Sequence, residues 1–331
     1  MTQNVCAVIG SNCFTGGHMV DALLEDPSNF VVGLSRSPEK KAVFLPSRKR
    51  SRDRFRFHQV DLFRESGRLI SLLDEIRPDY VINVAALSEV ALSHDQPVEY
   101  FQTNTLGVVQ LCNQLRSRPY LKRYLHISSA EVYGSCPHPL SESAPLNPST
   151  PYAVSKAAAD MYLMTLYRNF GFPVALIRST NVYGAHQQLY KIIPRTILYI
   201  KTGKKIELHG GGEAVKSWVH IRDVARGAVQ VLQQGRTGEI YHFSDQNHCS
   251  IAHLVARLCD ELGQRFEECT ISVPERLGQD TRYLLDYSKV QAELGWRPQV
   301  PFEEGLKDVI SWLEEDWEEV VNEPHRYVHQ A

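Results

Sequence analysis

The chain has 331 residues, of which 43% are hydrophobic and 22% are charged. A chain of this length forms two domains or one large α/β domain, and the composition excludes disordered, collagenous and coiled-coil proteins. The 36 Lys and Arg residues and the 38 Asp and Glu residues give a net charge of −2. Because the charges nearly cancel, we expect neither nucleic acid nor a membrane surface as a partner.

The cysteines and histidines form no recognisable cluster. The seven Cys residues are irregularly spaced and include no CxxC pair. We therefore predict reduced thiols, without a disulfide framework and without a metal site. The sequence begins without a signal-like apolar core and has no run of 18 apolar residues, so we expect a soluble cytoplasmic protein.

Short β-branched runs alternate with helix-length segments in the first half of the chain. This alternation is typical of βαβ units, and it predicts an α/β fold with a Rossmann-type doubly wound parallel sheet. The predicted strands are residues 5–9, 30–34, 56–60, 80–85, 124–127 and 174–177. A basic stretch at 48–56 is interpreted as a solvated loop, with nucleic-acid binding as the alternative.

Beyond Arg178 the alternation is weaker. Residues 205–208 and 269–273 predict short strands of a smaller C-terminal α/β unit. A helical pattern over 221–234 and a strand pattern over 239–243 predict that the chain returns to the main sheet.

These patterns predict two domains. Residues 1–178 plus 218–244 form the predicted cofactor-binding domain, and residues 179–217 plus 245–331 form a smaller substrate-binding domain. In folds of this type, ligands bind at the carboxyl ends of the strands, so we expect the active site between the two units.

A glycine-bearing turn follows the first strand. It reads Gly10, Ser11, Asn12, Cys13, Phe14, Thr15, Gly16, Gly17, and a helical pattern begins there. A strand, such a turn and a helix N-terminus bind a dinucleotide pyrophosphate through backbone N–H groups. Cys13 occupies the middle position of the usual GxxGxxG spacing, where a missing Cβ lets the backbone approach the ligand. We predict cofactor binding by Gly10, Asn12, Cys13, Phe14, Thr15 and Gly16, with a turn that binds no ligand as the alternative.

The end of the second strand indicates which nicotinamide cofactor is bound. An Asp or Glu there would accept a hydrogen bond from the ribose 2′-hydroxyl, but the chain has Ser35 and Arg36. Because no carboxylate repels a phosphate and Arg36 can pair with one, NADP is favoured over NAD. A surface role for Arg36, with ribose specificity from another loop, is the alternative.

Tyr152 and Lys156 form the clearest catalytic pattern. Four residues apart on a predicted helix, they share one face, so the ammonium can lower the pKa of the phenol from about 10 toward neutrality. The phenol then becomes a usable base. The structural alternative is an amphipathic helix start with a Tyr anchor, but the upstream Ser129 and the glycine turn favour catalysis.

Together these motifs resemble the extended short-chain dehydrogenase/reductase family, and within it the nucleotide-sugar 4,6-dehydratases. The similarity includes the segments at 10–16, 61–62, 83–88, 104–107, 129–133, 152–156, 178–184, 191–194, 217–220 and 276–283. It implies a tightly bound NAD(P), contacted also by Asp61, Leu62, Ala85, Ala86, Tyr152 and Lys156. It further implies a nucleotide-diphosphate-sugar substrate, bound by Ser88, Asn181, Lys191, Lys216, Arg276 and Arg282.

The resemblance assigns catalysis to Ser129, Glu131, Tyr152 and Lys156. Similar 4-epimerases have a small or hydroxyl residue where this chain has Glu131, so the carboxylate favours dehydration. Once the sugar is oxidised at carbon 4, Glu131 can remove the carbon 5 proton while water leaves carbon 6. Ala130 replaces the Asp acid of the dTDP-glucose enzymes. The proton donor to the leaving hydroxyl therefore stays open between Glu131 and water, and the nucleotide base also stays open.

Three other functions are weighed against dehydration. A UDP-glucuronate-type decarboxylase resembles these enzymes and also carries a Glu at this position. A 4-epimerase is less favoured because Glu131 would threaten the carbon 5 proton. A catalytically silent NADP-binding regulator is motivated by Cys13 and Ala130.

The resemblance also implies a homodimer. In this family two helices per subunit, here those following Asn104 and Tyr152, form a four-helix interface. The second helix offers Ala157, Met161, Met164 and Leu166 as apolar candidates, although part of this stripe must pack on the sheet.

Overall fold

The computed structural model describes residues 3–275 and 282–327. Its strands are β1 (Asn4–Ile9), β2 (Asn29–Ser35), β3 (Phe55–Gln59), β4 (Tyr80–Asn83), β5 (Arg123–Ile127), β6 (Val174–Ser179), β7 (Asn181–Tyr183), β8 (Ile206–His209), β9 (Val215–His220), β10 (Ile240–Phe243), β11 (His248–Ser250), β12 (Thr270–Val273) and β13 (Arg282–Tyr283). Its helices are α1 (Phe14–Glu25), α2 (Ser66–Ile76), α3 (Val90–Asp95), α4 (Pro97–Phe101), α5 (Gly107–Leu115), α6 (Pro151–Phe170), α7 (Ile192–Lys201), α8 (Ile221–Gln234), α9 (Ile251–Glu261), α10 (Phe266–Cys269), α11 (Ser288–Leu294), α12 (Phe302–Glu315) and α13 (Trp317–Val320).

Seven strands form one parallel sheet in the order β10-β6-β5-β4-β1-β2-β3. The chain builds outward from β1 through β2 to β3, then crosses back to β4 and continues on the other side. The connections that follow β1 and β4 therefore leave in opposite directions, which opens a crevice at the carboxyl ends of these two strands. The predicted doubly wound sheet is confirmed.

Helices cover both faces of this sheet, because side chains on both sides of its strands are apolar. On one face, α1 and α8 bury Leu23 and Val224 against the strands. On the opposite face, α2, α5 and α6 bury Leu69, Leu111 and Leu163. The sheet is thus held rigidly, and its carboxyl edge can position a site.

The remaining elements form a smaller unit beside that edge. β9 pairs with β7 and β13 in parallel and with β11 in antiparallel fashion, and β8 pairs with β12. The helices α7, α9 and α12 pack around a separate core that includes Ile197, Leu258 and Trp312. The strands predicted at 205–208 and 269–273 are found here as β8 and β12.

The chain returns to the main sheet after β9. The predicted helix over 221–234 is α8, and the strand predicted at 239–243 is β10, which pairs with β6 at the edge. β9 itself pairs with β7, so residues 218–220 are bonded to the small sheet and not to the main one. The domain boundaries as a whole stay a prediction.

Candidate active site

The glycine turn fixes the end of β1 against the start of α1. Gly10 has φ of +90°, and a Cβ there would lie 2.6 Å from the backbone nitrogen of Ala85. A Cβ on Gly16 would lie 2.1 Å from the carbonyl oxygen of Gly10. Only glycine fits at both positions, and Ala86 lines the cleft beside them. The turn therefore presents the N-terminus of α1 to the crevice, where a pyrophosphate can meet backbone N–H groups.

Cys13 is the N-cap of α1. Its Sγ accepts a hydrogen bond from the backbone N–H of Gly16 at 3.2 Å. Burial raises the pKa of this thiol, which keeps it neutral at physiological pH. Cys13, Phe14 and Thr15 line a cleft of about 280 Å³ that continues to the side chains of α6. The turn, the helix start and the cleft together fit a nicotinamide dinucleotide, and the Cβ of Cys13 does not close the cleft.

Asn12 and Ser35 join the turn to the end of β2. The backbone N–H of Asn12 donates to Ser35 Oγ at 3.0 Å, and its side-chain amide donates to the carbonyl oxygen of Pro38 at 2.7 Å. Arg36 lies half-buried at the same strand end. Burial raises the pKa of the Tyr327 phenol, and the nearby Arg36 opposes this rise. The C-terminal segment therefore reaches the edge of the predicted cofactor site.

Asp61 and Leu62 shape the loop after β3. Asp61 Oδ1 accepts hydrogen bonds from the backbone N–H groups of Phe63 and Arg64 at 2.8 and 2.7 Å. Leu62 is buried, and its Cγ lies where a Cβ on Gly107 would be 2.9 Å away. Both residues thus hold the loop in place, and their contact with the cofactor stays a prediction.

Lys156 lies on α6 one turn after Tyr152. The helix begins after the N-cap Thr150, whose Oγ1 accepts from the N–H of Ala153 at 3.1 Å. Lys156 Nζ donates to the carbonyl oxygen of Ile127 at 2.7 Å. Burial lowers the pKa of the ammonium to about 8, and the charge of a neighbouring carboxylate opposes this. The lysine therefore stays largely protonated at neutral pH.

Tyr152 has a different partner from the one that its spacing predicts. Burial raises the pKa of its phenol, the charge of Glu131 raises it further, and a hydrogen bond with Ser129 lowers it. Lys156 was expected to lower this pKa, but its ammonium is directed to the end of β5. Ser129 is thus the group that lowers the pKa of Tyr152 in this structure, against the larger effect of burial.

Ser129 and Glu131 lie in a 3₁₀ turn, residues 130–133, that follows β5. Ser129 Oγ accepts from the backbone N–H of Glu131 at 3.2 Å and caps this turn. Ala130 is buried against a small apolar cluster, whereas Glu131 is half-buried and lines two adjoining cavities. Glu131 therefore joins the cleft that contains Tyr152 to the larger cavity beyond it.

The larger cavity has a volume of about 1350 Å³ and lies between the two units. Four predicted substrate-binding residues line it: Ser88, Asn181, Lys191 and Lys216. Its wall carries more cations than carboxylates: Lys191, Arg195, Lys204, Lys205, Lys216 and Arg326 against Glu89, Glu131, Glu207 and Glu323. A pocket of this size and charge suits a nucleotide diphosphate.

The two remaining substrate-binding predictions have different outcomes. Arg276 lies outside the described residues. Arg282 begins β13, where it pairs with Val215, and it is not among the described residues that line the cavity. Its contact with substrate stays a prediction.

Sequence reasoning did not find several lining residues. Three of them are basic residues on and after α7: Arg195, Lys204 and Lys205. Their positive charges were the feature of the sequence that could have indicated a binding surface here. The C-terminal residues His325 and Tyr327 also line the cavity, but no pattern in the sequence indicates their position. They arrive there only because the chain folds back after α13.

Comparison with known proteins identifies the family. A family model described as GDP-mannose 4,6 dehydratase matches residues 8–309. The chain belongs to this family. The dTDP-glucose 4,6-dehydratase of Haemophilus influenzae is 30% identical over 326 residues, which cover 92% of this chain and 96% of the relative. The dTDP-D-glucose 4,6-dehydratase of Homo sapiens is 30% identical over 318 residues, which cover 94% of this chain and 90% of the relative.

Solved structures agree with this assignment. DesIV, a dTDP-glucose 4,6-dehydratase from Streptomyces venezuelae with NAD and TYD bound, matches with a TM-score of 0.88 and 33% identity, covering 96% of this chain and 100% of that chain. A UDP-glucose 4-epimerase from Thermotoga maritima matches with a TM-score of 0.86 and 25% identity, covering 95% and 99%. The predicted family, the fold class and the activity of a nicotinamide-dependent nucleotide-sugar 4,6-dehydratase are confirmed.

The described part of the chain contains neither a membrane-spanning helix nor a cluster of metal-ligating side chains. None of the helices in residues 3–275 and 282–327 is both long and apolar enough to cross a membrane. Within the same ranges, His, Cys, Asp and Glu side chains do not gather in groups of three or more that could hold a metal ion.

Proposed function

We propose that this enzyme converts a dTDP-hexose, with dTDP-glucose as the first candidate, to the 4-keto-6-deoxy sugar. The observation that carries the proposal is the position of Glu131, which lines both the cleft with Tyr152 and the cationic cavity. The choice of dTDP is supported by the names of the curated relatives and by the TYD-bound neighbour. GDP-mannose, which gives the matched family its description, is the competing substrate.

Oxidation at carbon 4 needs a base for the hydroxyl proton. When bound, a nicotinamide cofactor accepts a hydride from carbon 4 and returns it at carbon 6. Tyr152 takes the hydroxyl proton, and Ser129 hydrogen-bonds the phenol, which stabilises its anion. Lys156 contributes a buried positive charge one helical turn away. These three residues therefore generate and hold the 4-keto group.

Elimination across carbons 5 and 6 is assigned to Glu131. The carbon 5 proton becomes acidic once carbon 4 is a ketone, and a carboxylate in the same cavity can remove it. Ala130 is buried and has no proton to give. The Glu131 carboxyl, protonated by carbon 5, then gives this proton to the hydroxyl that leaves carbon 6 as water, and a solvent proton taken up through Glu131 is delivered to carbon 5 when the hydride is returned at carbon 6.

Product analysis tests this proposal. Purified enzyme is incubated with dTDP-glucose, GDP-mannose, UDP-glucose and UDP-glucuronate, and the products are identified by mass spectrometry. We expect a loss of 18 mass units, one water, with dTDP-glucose. Carbon dioxide release would indicate the decarboxylase, an unchanged mass with inverted carbon 4 would indicate the epimerase, and no reaction would favour the silent regulator.

The finer choice of cofactor is also a proposal. We infer NADP, because β2 ends in Ser35 and the half-buried Arg36 without a carboxylate. The similar dehydratase structures contain NAD. Denaturing the purified enzyme and assaying the supernatant decides between them, since NAD without NADP would refute the inference. Tight retention is expected because the reaction has no net redox change.

We propose a homodimer joined through α6 and the helix that runs from α4 to α5. Large apolar side chains are exposed on these elements: Val98 is 67% exposed, Leu106 47%, Val154 38% and Met161 63%. Exposed apolar groups that cluster in this way mark an interface. Among the predicted interface candidates, Met161 faces outward, whereas Ala157 and Leu166 are buried within the subunit.

We propose a cytoplasmic location for the enzyme. All seven cysteines are free thiols, and five of them are buried. Such thiols persist in a reducing compartment. A tagged protein recovered outside the cytoplasm by cell fractionation would contradict this proposal.

A further inference from the structure

A buried cluster of charged and polar side chains lies directly behind Lys156. Its centre is Asp160, which follows Lys156 by one turn of α6 and is 1% exposed. Arg178 on β6 is equally buried, at 3% exposure. Burying an ion costs free energy unless partners compensate its charge, so the Asp160 carboxylate must have partners that stabilise it here.

Asp160 is held firmly in one orientation. Its Oδ2 accepts hydrogen bonds from Arg178 Nε at 2.9 Å and from Ser128 Oγ at 2.8 Å, and Arg178 Nη2 lies 2.9 Å from the same oxygen. Arg178 is fixed in turn by Tyr133, whose hydroxyl lies 2.5 Å from its Nη1. The carboxylate therefore cannot turn away from Arg178 and Ser128 without losing its charge-assisted hydrogen bonds.

His126 fills the space between Asp160 and Lys156. Its Nε2 lies 3.3 Å from Lys156 Nζ and 3.9 Å from Asp160 Oδ1. Burial lowers the pKa of His126 well below its usual range, and the charges of Lys156 and Arg178 add to this effect. The imidazole is therefore neutral, and Nε2 accepts from the ammonium, because an ammonium has only protons to donate. The Lys156 side chain is thus held between His126 and the Ile127 carbonyl oxygen.

We propose that Asp160 is a positioning residue of the reaction, whose fixed buried carboxylate keeps the Lys156 ammonium charged and seated on the Ile127 carbonyl oxygen. Lys156 and Arg178 place two cations in this buried region; Asp160 is bonded directly to Arg178, and it faces Lys156 across His126 and acts on it by its charge. Removing it would leave both cations buried without compensation. The inference rests on the assignment of Tyr152 and Lys156 made under Proposed function.

The charge of Asp160 acts on both catalytic groups in the same direction. It raises the pKa of Lys156 against burial, and it adds to the burial that raises the pKa of Tyr152. The other titratable groups that face these two side chains are Tyr100, Glu131 and His126, whereas Tyr133 and His242 face Arg178. Because none of them is altered by a change at position 160, losing the Asp160 charge should lower both pKa values together.

The test is the pH profile of the Asp160→Asn holoenzyme. The rate of the first oxidation, followed as reduced nicotinamide in single turnover, is measured from about pH 6 to about pH 11, a range that includes the pKa of about 8 for Lys156 and the usual pKa of about 10 for a tyrosine. We expect both limbs of the profile to move to lower pH by about one unit, the usual effect of a nearby charge. A profile that loses amplitude while its limbs stay in place would show a purely structural role and would overturn the proposal.

Two further variants make the result decisive. Tyr133→Phe removes a hydroxyl partner of Arg178 but keeps every buried charge, so its limbs should match those of the wild type. If Asp160→Asn fails to fold, Asp160→Asn/Arg178→Met removes both opposite charges together; the loss of Arg178 opposes the loss of Asp160, but Arg178 is bonded to Asp160 and not to Lys156 or Tyr152, so the limbs should move to lower pH by less than in the single variant. Limbs that do not move in the double variant contradict the proposal.

Failure of the proposed function gives a different result. Because the pH profile follows oxidation at carbon 4, it does not depend on whether water, carbon dioxide or an epimer is the eventual product. An unexpected product with shifted Asp160→Asn limbs would refute dehydration and support the role of Asp160. The expected 4-keto-6-deoxy product together with unmoved Asp160→Asn limbs would support dehydration and refute the role of Asp160.

Discussion

In the proposed reaction, Glu131 is the residue that would separate elimination from simple oxidation. It follows Ser129 by two positions in a tight turn, so the hydroxyl that bonds Tyr152 and the carboxylate that would act at carbon 5 come from the same short segment. Burial raises the pKa of Tyr152, and the negative charge of Glu131 raises it further. One side chain therefore affects both steps.

Changing Glu131→Gln keeps the shape of the side chain but removes the base. Oxidation at carbon 4 should survive, while formation of the 4-keto-6-deoxy product should fall by about a hundredfold to ten-thousandfold, the usual effect of losing a general base. Single-turnover absorbance of reduced nicotinamide and solvent deuterium incorporation at carbon 5 measure the two steps. Product formation at the wild-type rate would mean that another residue removes the carbon 5 proton.

Changing Tyr152→Phe is the matched experiment on the first step. The phenylalanine ring keeps the packing against Tyr100 but has no hydroxyl to accept the carbon 4 proton. No reduced nicotinamide should appear in single turnover, and deuterium should not enter carbon 5. The appearance of the reduced band at the wild-type rate would assign the base to a different group.

At the scale of elements, the start of α1 depends on an unusual cap. The thiol of Cys13 takes the place of the hydroxyl or carboxylate that usually accepts from the first turn of a helix. The acceptor is weak, but it satisfies the N–H of Gly16 at a position where no side chain longer than hydrogen fits.

The variants Cys13→Ser and Cys13→Ala test this cap. Serine keeps an acceptor and should leave the free energy of unfolding near the wild-type value, whereas alanine should lower it by about 1 kcal/mol. Urea unfolding of the two variants, with the same cofactor content, provides the comparison. Equal stability of the serine and alanine variants would show that the thiol contributes no cap.

The exposed apolar surface of α6 leads to a test of the proposed dimer. Met161→Lys places a charge in this surface, and the enzyme should sediment as a monomer at micromolar concentration, because an unpaired buried charge is costly at an interface. Ile271→Lys on β12 is the control, since Ile271 is also exposed, at 51%, but lies in the smaller unit. A wild-type protein that is already monomeric would contradict the proposal.

At the scale of the whole molecule, the C-terminal segment bridges the two units. Asp316 pairs with Arg48 at 2.8 Å, Glu323 pairs with Lys41, and the ring of Tyr327 packs edge-on against Tyr190 with centroids 5.2 Å apart. The segment thereby crosses the cavity that the two units enclose. The exposed pair of Lys41 and Glu323 contributes little, whereas the contact between Tyr190 and Tyr327, both in the smaller unit, holds the end of the segment against the wall of the cavity.

Changing Tyr327→Ala should therefore weaken retention of the nucleotide sugar. An edge-on aromatic pair contributes about 0.5–1.5 kcal/mol, which corresponds to an increase of about twofold to twelvefold in KM, with little change in kcat. Steady-state kinetics measures both values. Lys41→Gln serves as the control for the exposed ion pair, and its KM should stay near that of the wild type. An unchanged KM for Tyr327→Ala would show that Tyr327 does not contribute to substrate binding.

The sequence by itself determined the local patterns of this protein. Short β-branched runs alternating with helix-length segments predicted the sheet, a helical pattern predicted α8, and the spacing of Tyr152 and Lys156 placed both on one face of α6. Gly10 and Gly16 were recognisable because a turn that presents a helix N-terminus to a phosphate demands glycine. These features are encoded in residues that are neighbours in the chain.

Only the tertiary structure decided the features that join distant segments. The directions of the Lys156 ammonium and the Tyr152 hydroxyl depend on β5 and the turn after it. Asp160 acquires its partners from Ser128, directly after β5, and from Arg178 on β6, and Tyr327 reaches the cavity through the path of the whole chain. Such contacts depend on packing between elements, and no short-range periodicity in the sequence records which elements will meet.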